Sequence, residues 1–282
     1  MNGWTTLVQA EALAQALAGD TVVVLDCRHT LGEPEAGESA YLAGHIPGAL
    51  HAHLDHDLSG PHRPDAGRHP WPDAESFTTR LEQWGITPGH QVVAYDAGDG
   101  AFAARLWCLL RALGHARVAV LDGGWARWQA LGLPVETTTR TPVPVRYEAA
   151  FDASRLLDAD AVAAHVAGNG LLVDARAGER YRGEVEPIDQ KAGHVPGAIN
   201  RPYADNLDAG RLKSAEVLAA EFRDLLAGRA PDQLVAMCGS GVTACHHLLA
   251  MEHAGLSGAK LFTGSWSGWI EDPARPIAAG DR

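Results

Sequence analysis

"LLVDARAGERYRGEVEPIDQKAGHVPGAI", residues 171–199, reads as a short apolar strand ending on Asp174, then a polar stretch, then a compact GHVPGA segment. The same order occurs earlier in the chain. "VVVLDCRHTLGEPEAGESAYLAGHIPGAL", residues 22–50, runs from an apolar strand ending on Asp26 to GHIPGA. Two further matches follow in register. "QVVAYDAGDGAFAARLWCLLRALG" (91–114) pairs with "QLVAMCGSGVTACHHLLAMEHAG" (233–255), and "VAVLDGGWARW" (118–128) pairs with "AKLFTGSWSGW" (259–269). Matches that keep their order over nearly the whole of each half indicate a duplication. Short β-rich runs alternate with helical patterns, which predicts an α/β fold in two copies, each a small, mainly parallel sheet flanked by helices. The Thr- and Pro-rich stretch 135–149 has no helical period and lies between the copies. It places a first domain at 1–138, a linker at 139–149 and a second domain at 150–282.

Composition agrees with two ordinary cores. The chain has 282 residues, 46% of them hydrophobic, and its formal net charge is -12. That length suits two domains of about 140 residues. A strongly acidic chain is a poor partner for nucleic acid or an anionic membrane, because phosphate binding needs surplus Lys and Arg. An anionic substrate would need local positive charge or backbone dipoles. The N-terminal stretch "MNGWTTLVQAEALAQAL" lacks the basic start and apolar core of a signal peptide, and no run approaches the ~18 apolar residues of a membrane span. A cytoplasmic, monomeric protein is expected. The four cysteines, Cys27, Cys108, Cys238 and Cys245, form no CxxC pair, so free thiols are expected, with no zinc ribbon and no disulfide framework.

The duplication supplies an internal control for function. Where the second copy carries Cys238, the first carries Asp96. Asp for Cys is a poor packing exchange, so the pair reads as one reactive thiol and one degenerate position. Cys238 follows the strand LVAM and precedes a helix expected to begin near Thr243. Ligands of parallel α/β sheets gather at this carboxyl end of the strands. Gly239 and Gly241 allow a tight turn, Ser240 and Thr243 add hydroxyls, and Val242 completes the loop. The positive end of the following helix favours a sulfur anion, and the thiolate is the reactive form of cysteine. Cys108 and Cys245 fall within helical patterns and, with Cys27, read as packing residues. A cysteine phosphatase would need an Arg close after the thiol to clamp phosphate, and this loop has none.

With these motifs in view, the chain resembles the tandem-domain rhodaneses, which are sulfurtransferases. The resemblance spans nearly the full length and rests on both GH[IV]PGA segments, DGGW, GSW and CGSGVT. It implies an inactive first domain, a catalytic second domain and a Cys238 persulfide that carries sulfur from a small anionic donor to a thiol or cyanide. The CGSGVT loop is similar to that of members using 3-mercaptopyruvate; thiosulfate-preferring members more often carry basic residues there. By the same resemblance, Arg180 in "GERYRGEVEPID" (178–189) matches the residue gripping the donor's anionic end. A second Arg often follows "EP" in that group; here Ile188 and Asp189 stand there, with Arg182 a candidate to compensate. Asp55 and His69 match an acidic residue and a histidine that would form a proton relay with Ser240. Gly239, Gly241, Val242 and Thr243 are expected to line the donor site. The acceptor would be a thioredoxin-like or low-molecular-weight thiol, or cyanide. No cofactor is expected. The His- and Asp-rich stretch 51–72 has no compact ligand spacing, so no metal site is expected there either. His246 and His247 receive no role.

Overall fold

The computed structural model describes residues 3–19 and 21–281. The chain divides into two compact units. Unit 1 comprises Met1–Gly60, Pro72–Asp152 and Ala209–Leu212; unit 2 comprises Pro61–Trp71, Ala153–Asp208 and Lys213–Arg282. Domains continuous in sequence, with boundaries at 138 and 150, do not include the two short segments exchanged between the units. Local bonding accounts for both. In unit 1, Asp122 accepts hydrogen bonds from Arg211 Nε at 2.9 Å and from the Leu212 N–H at 3.2 Å. In unit 2, the Arg68 N–H donates to Ser267 Oγ at 3.1 Å, and Arg275 Nη1 pairs with Asp65 Oδ1 at 2.9 Å.

Unit 1 contains β1 (Leu7–Val8), α1 (Ala10–Ala16), β2 (Val22–Asp26), α2 (Ala36–Ala43), β3 (Leu50–His51), α3 (Ala74–Gln83), β4 (Gln91–Tyr95), α4 (Ala103–Ala112), β5 (Val118–Leu121) and α5 (Gly124–Ala130). Its five strands lie in the order β1-β5-β4-β2-β3, all parallel. The second half contains β6 (Leu156–Leu157), α6 (Ala159–Ala167), β7 (Leu171–Asp174), α7 (Gly178–Tyr181), β8 (Ile199–Asn200), β9 (Leu207–Asp208), β10 (Arg211–Leu212), α8 (Ala215–Leu226), β11 (Leu234–Met237), α9 (Ala244–His253), β12 (Lys260–Phe262) and α10 (Ser265–Trp269). The unit 2 sheet has the order β6-β12-β11-β7-β8, again parallel, which is the unit 1 order repeated. The central strands are continuous apolar runs because both faces of a parallel sheet are covered. Val24, Val93 and Leu121 anchor the core of unit 1; Leu172, Val235 and Phe262 anchor that of unit 2. No helix of the described residues is long and apolar enough to cross a membrane.

The repeated motifs are a repeated brace. Asp26 ends β2 and holds Arg28 Nε at 2.9 Å, while Arg28 Nη2 donates to the Gly44 carbonyl at 2.7 Å. Asp174 ends β7 and holds Arg176 Nε at 3.0 Å, while Arg176 Nη2 donates to the Gly193 carbonyl at 2.7 Å. Each guanidinium also covers an indole, with Cζ to ring-centre distances of 4.7 Å at Trp125 and 4.9 Å at Trp266. His45 and His194 of the two GH[IV]PGA segments place Nδ1 2.8 Å from the carbonyls of Tyr41 and Tyr181. The Asp, Arg and His side chains of the brace are buried in both units, so the motifs that reveal the duplication build the fold in each copy.

Candidate active site

β11 ends at Met237, and α9 begins at Ala244. The loop between them carries Cys238, which is 2% exposed. The start of α10 braces it. Ser265 Oγ accepts from the Cys238 N–H at 3.1 Å, the Trp266 N–H donates to the Cys238 carbonyl at 3.0 Å, and the Ser267 N–H donates to the Gly239 carbonyl at 2.9 Å. The two loop glycines serve different needs. Gly241 has φ +76°, a left-handed conformation that favours glycine. Gly239 has no positive φ; a Cβ there would lie 3.2 Å from Arg68 Nη2 and 3.7 Å from both Arg180 Nη atoms. Its missing Cβ leaves room for two guanidinium ends, Arg68 closest. Val242 is buried, and Thr243 leads into α9 without a side-chain cap, leaving the first turn of the helix uncapped from its own N-cap residue.

The structure brings several expected residues together within unit 2. Ser240 Oγ lies 2.7 Å from His69 Nδ1, and both residues are buried. Arg180, on the short helix α7, reaches Gly239 and is only 17% exposed. Its guanidinium is engaged by Glu186, with Nη2 to Oε1 at 2.7 Å, and by Asp189, with Nη2 to Oδ2 at 3.2 Å. Asp55 belongs to unit 1. Its N–H donates to His53 Nδ1 at 3.1 Å, and its side chain is 38% exposed. Arg182 does not join the group around Gly239; it pairs with Glu184 at 2.8 Å on the surface.

Sequence reasoning missed Arg68, Glu186 and Asp189. Arg68 donates through Nη1 to Asp189 Oδ1 and turns Nη2 towards Gly239. Burial pushes the Arg68 guanidinium down from its usual value, and Cys238 is the leading charge that opposes the shift. Adjacency to His69 in "GRHP" was the available signal. Glu186 accepts from the N–H groups of Ile188 and Asp189, both at 3.0 Å, and so folds 186–189 back over Arg180. A cavity of about 380 Å³ opens beside Arg68 and Asp189, with Ile188, Ser267 and Ile270 in its wall.

The other thiols are buried. Burial, followed by the charge of Asp26, pushes the Cys27 thiol well above its usual value, and Cys245 donates to the Gly241 carbonyl at 3.3 Å. His246 and His247 form a buried network in which Asn206 Nδ2 lies 3.0 and 2.9 Å from their Nδ1 atoms. Burial pushes His247 down to about 3, so it stays neutral and structural. In unit 1, Glu35, His53 and His56 bring one ligand-type atom each within 4.8 Å of one another. His53 Nδ1 accepts from the Asp55 N–H, which leaves the proton of a neutral ring on Nε2.

Known proteins match this arrangement over the whole chain. The family model described as "Rhodanese-like domain" matches residues 9–131 and again 158–272. The chain belongs to the rhodanese family. This rhodanese is 48% identical over 279 residues to a Pseudomonas aeruginosa protein named for 3-mercaptopyruvate sulfurtransfer, with 98% of each chain covered. It is 39% identical over 289 residues to Mycobacterium tuberculosis SseB, named for thiosulfate sulfurtransfer, with 99% of this chain and 98% of that one covered. Among solved structures, the 3-mercaptopyruvate enzyme SseA of Escherichia coli superposes with a TM-score of 0.82 at 31% identity, covering 94% of this rhodanese and all of SseA. The two-repeat rhodanese is thus a sulfurtransferase, as expected from the CGSGVT loop and both GH[IV]PGA segments.

Proposed function

We infer that the chain moves a sulfane sulfur from 3-mercaptopyruvate to a thiol or cyanide through a persulfide on Cys238. The observation that carries this reading is the 2.7 Å contact between Ser240 Oγ and His69 Nδ1 in the loop that also holds the thiol. The Cys238 thiolate attacks the donor sulfur, forming the S–S bond and breaking the C–S bond. The bonding pair leaves on carbon as the pyruvate enolate, which must gain a proton, while the donor thiol loses one. A hydroxyl–imidazole pair beside the reacting sulfur suits that transfer. Thiosulfate needs no such step, because sulfite departs with its electron pair unprotonated. Arg68 and Arg180 supply the grip for the donor carboxylate.

Loop N–H groups of residues 239–243 stabilise the persulfide anion. Unit 1 supports this assignment. At the matching position the Asp96 carboxylate accepts four N–H bonds from its loop and helix, at 2.9–3.1 Å. The acceptor then takes the outer sulfur and regenerates the thiolate. Asp55 enters the relay by resemblance only. Thioredoxin-like and low-molecular-weight thiols are the acceptors to test, beside cyanide.

Side-by-side kcat/KM values for 3-mercaptopyruvate and thiosulfate, with cyanide as common acceptor, test the reading. A preference for mercaptopyruvate of ~100-fold, about 2.7 kcal/mol in transition-state binding, is expected. An equal preference for thiosulfate overturns the donor assignment. Failure of both donors to add one sulfur to Cys238, read by mass spectrometry, overturns the persulfide itself.

A further inference from the structure

We propose that Asp189 sets the donor preference: it bridges Arg68 and Arg180, aims one nitrogen of each at the Cys238 loop, and removes the surplus charge that a dianionic donor would need. The proposal rests on the sulfurtransferase reading above and deepens it.

The geometry is specific. The side chain of Asp189 is 3% exposed and takes Arg68 Nη1 on Oδ1 and Arg180 Nη2 on Oδ2. Arg68 is thereby left with Nη2 facing Gly239, where a Cβ would sit 3.2 Å away. On Arg180, Glu186 takes Nε and Nη2, and Nη1 makes none of these bonds while facing Gly239 at 3.7 Å from the same Cβ position. Two N–H-bearing nitrogens from two different chains of bonds therefore point at the residue next to the nucleophile. One carboxylate, with two oxygens, suits that pair.

Charge points the same way. Arg176 joins this cluster through Glu186, at 3.4 Å, and is held by Asp174 at 2.7 Å. Three guanidiniums here meet three carboxylates: Asp174, Glu186 and Asp189. The cluster has no formal surplus of positive charge. A monoanion enters such a site by hydrogen bonding to the two free nitrogens. A dianion brings a second negative charge close to the Cys238 thiolate with nothing to offset it, and repulsion in a buried site is weakly screened. Asp189 is the member of the trio that touches both donor-facing arginines, so its charge bears most directly on the donor. It acts through them and is a specificity-determining residue, not a catalytic one.

Asp189→Asn keeps the side-chain shape and an acceptor oxygen while removing the charge. In wild type and variant, kcat/KM is measured for 3-mercaptopyruvate and for thiosulfate with cyanide as acceptor. The thiosulfate-to-mercaptopyruvate ratio is expected to rise at least about tenfold in the variant, which is 1.4 kcal/mol. An unchanged ratio, or a fall, overturns the proposal, because a merely structural role would depress both donors together. Should Asp189→Asn fail to fold, wild-type inhibition decides. Against 3-mercaptopyruvate, pyruvate is expected to bind at least tenfold more tightly than sulfate; equal or tighter binding of sulfate overturns the idea. Failure of the underlying reading has a different signature, since Cys238 of the wild type would then gain no sulfur from either donor.

Discussion

The loops after β4 and β11 occupy the same place in two copies of one sheet, and they differ in one decisive side chain. After β4, Asp96 fills its own loop. Oδ1 accepts from Gly98 and Gly100, both at 3.0 Å, and Oδ2 accepts from Phe102 at 2.9 Å and Ala103 at 3.1 Å. A buried carboxylate thus saturates the start of α4. After β11, Cys238 is a smaller and softer group, α9 has no side-chain cap, and Ser240 reaches His69. The comparison teaches that the loop after β4 gathers four N–H groups on an anion at the position that Cys238 holds after β11. Unit 1 has filled it with its own buried carboxylate. In unit 2 the matching residue is the Cys238 thiol, the proposed nucleophile.

The largest expected effect breaks the comparison at its centre. Cys238→Ser should lower turnover by roughly 10⁴-fold or more, because no covalent intermediate forms. Adding Asp96→Cys to that variant should restore nothing, since unit 1 has no His–Ser pair at its loop. Turnover with mercaptopyruvate and the mass of the donor-treated protein check both points, and recovery in the double variant would show that the loops are interchangeable. The next effect concerns what the copies share. Arg28→Met and Arg176→Met each strand a fully buried carboxylate, Asp26 or Asp174, and should each cost about 3–5 kcal/mol of stability in their own unit. Chemical denaturation followed by tryptophan fluorescence reads this, and a silent Arg28→Met would mean that the brace is structural in one copy only.

Much of this was legible in the sequence because duplication exposes what each copy keeps and what it changes. The strand runs, Asp26 with Asp174, and GHIPGA with GHVPGA predicted two parallel sheets, and the Asp96–Cys238 mismatch pointed to one nucleophile. The exchange of 61–71 and 209–212 was not legible, since it depends on bonds such as Arg68 N–H to Ser267 Oγ across 199 positions of sequence. Arg68 and Asp189 were missed for the same reason: they pair across 121 positions of sequence, and beyond the adjacency of Arg68 to His69 no local pattern marks them. Gly239 was read as a turn residue, but its backbone is ordinary and its missing Cβ makes room for arginines.

A smaller effect sharpens the assignment of the Ser240–His69 pair. His69→Ala should reduce kcat/KM with mercaptopyruvate by about 10²–10³-fold, the range of a lost proton-transfer group. With thiosulfate the same variant should lose less than about tenfold, because the sulfite leaving group needs no proton. Parallel losses with both donors would make His69 a packing residue instead. By the resemblance, Asp55→Asn should follow the same donor-selective pattern, and its donor-resolved kinetics are the direct check.

The smallest effect lies in the closed loop. Burial, and after it the charge of Asp99, pushes Asp96 up to about 6 from 3.8, against the four N–H bonds that pull it down. A carboxyl with a raised value binds its proton more tightly in the folded than in the unfolded chain. Its protonated form therefore contributes stability that is fully present below about pH 4, fades as pH rises, and is gone above about pH 6. The magnitude is up to about 3 kcal/mol. Asp96→Asn has no proton to lose, so the difference in unfolding free energy between wild type and variant should fall steadily for wild type across that window and level off on either side. Urea midpoints of unit 1 between pH 4 and 7 read it. A wild-type curve parallel to that of the variant would mean that the four N–H bonds hold Asp96 as an anion throughout, and unit 1 would then be the better model of a Cys238 loop that holds an anionic sulfur.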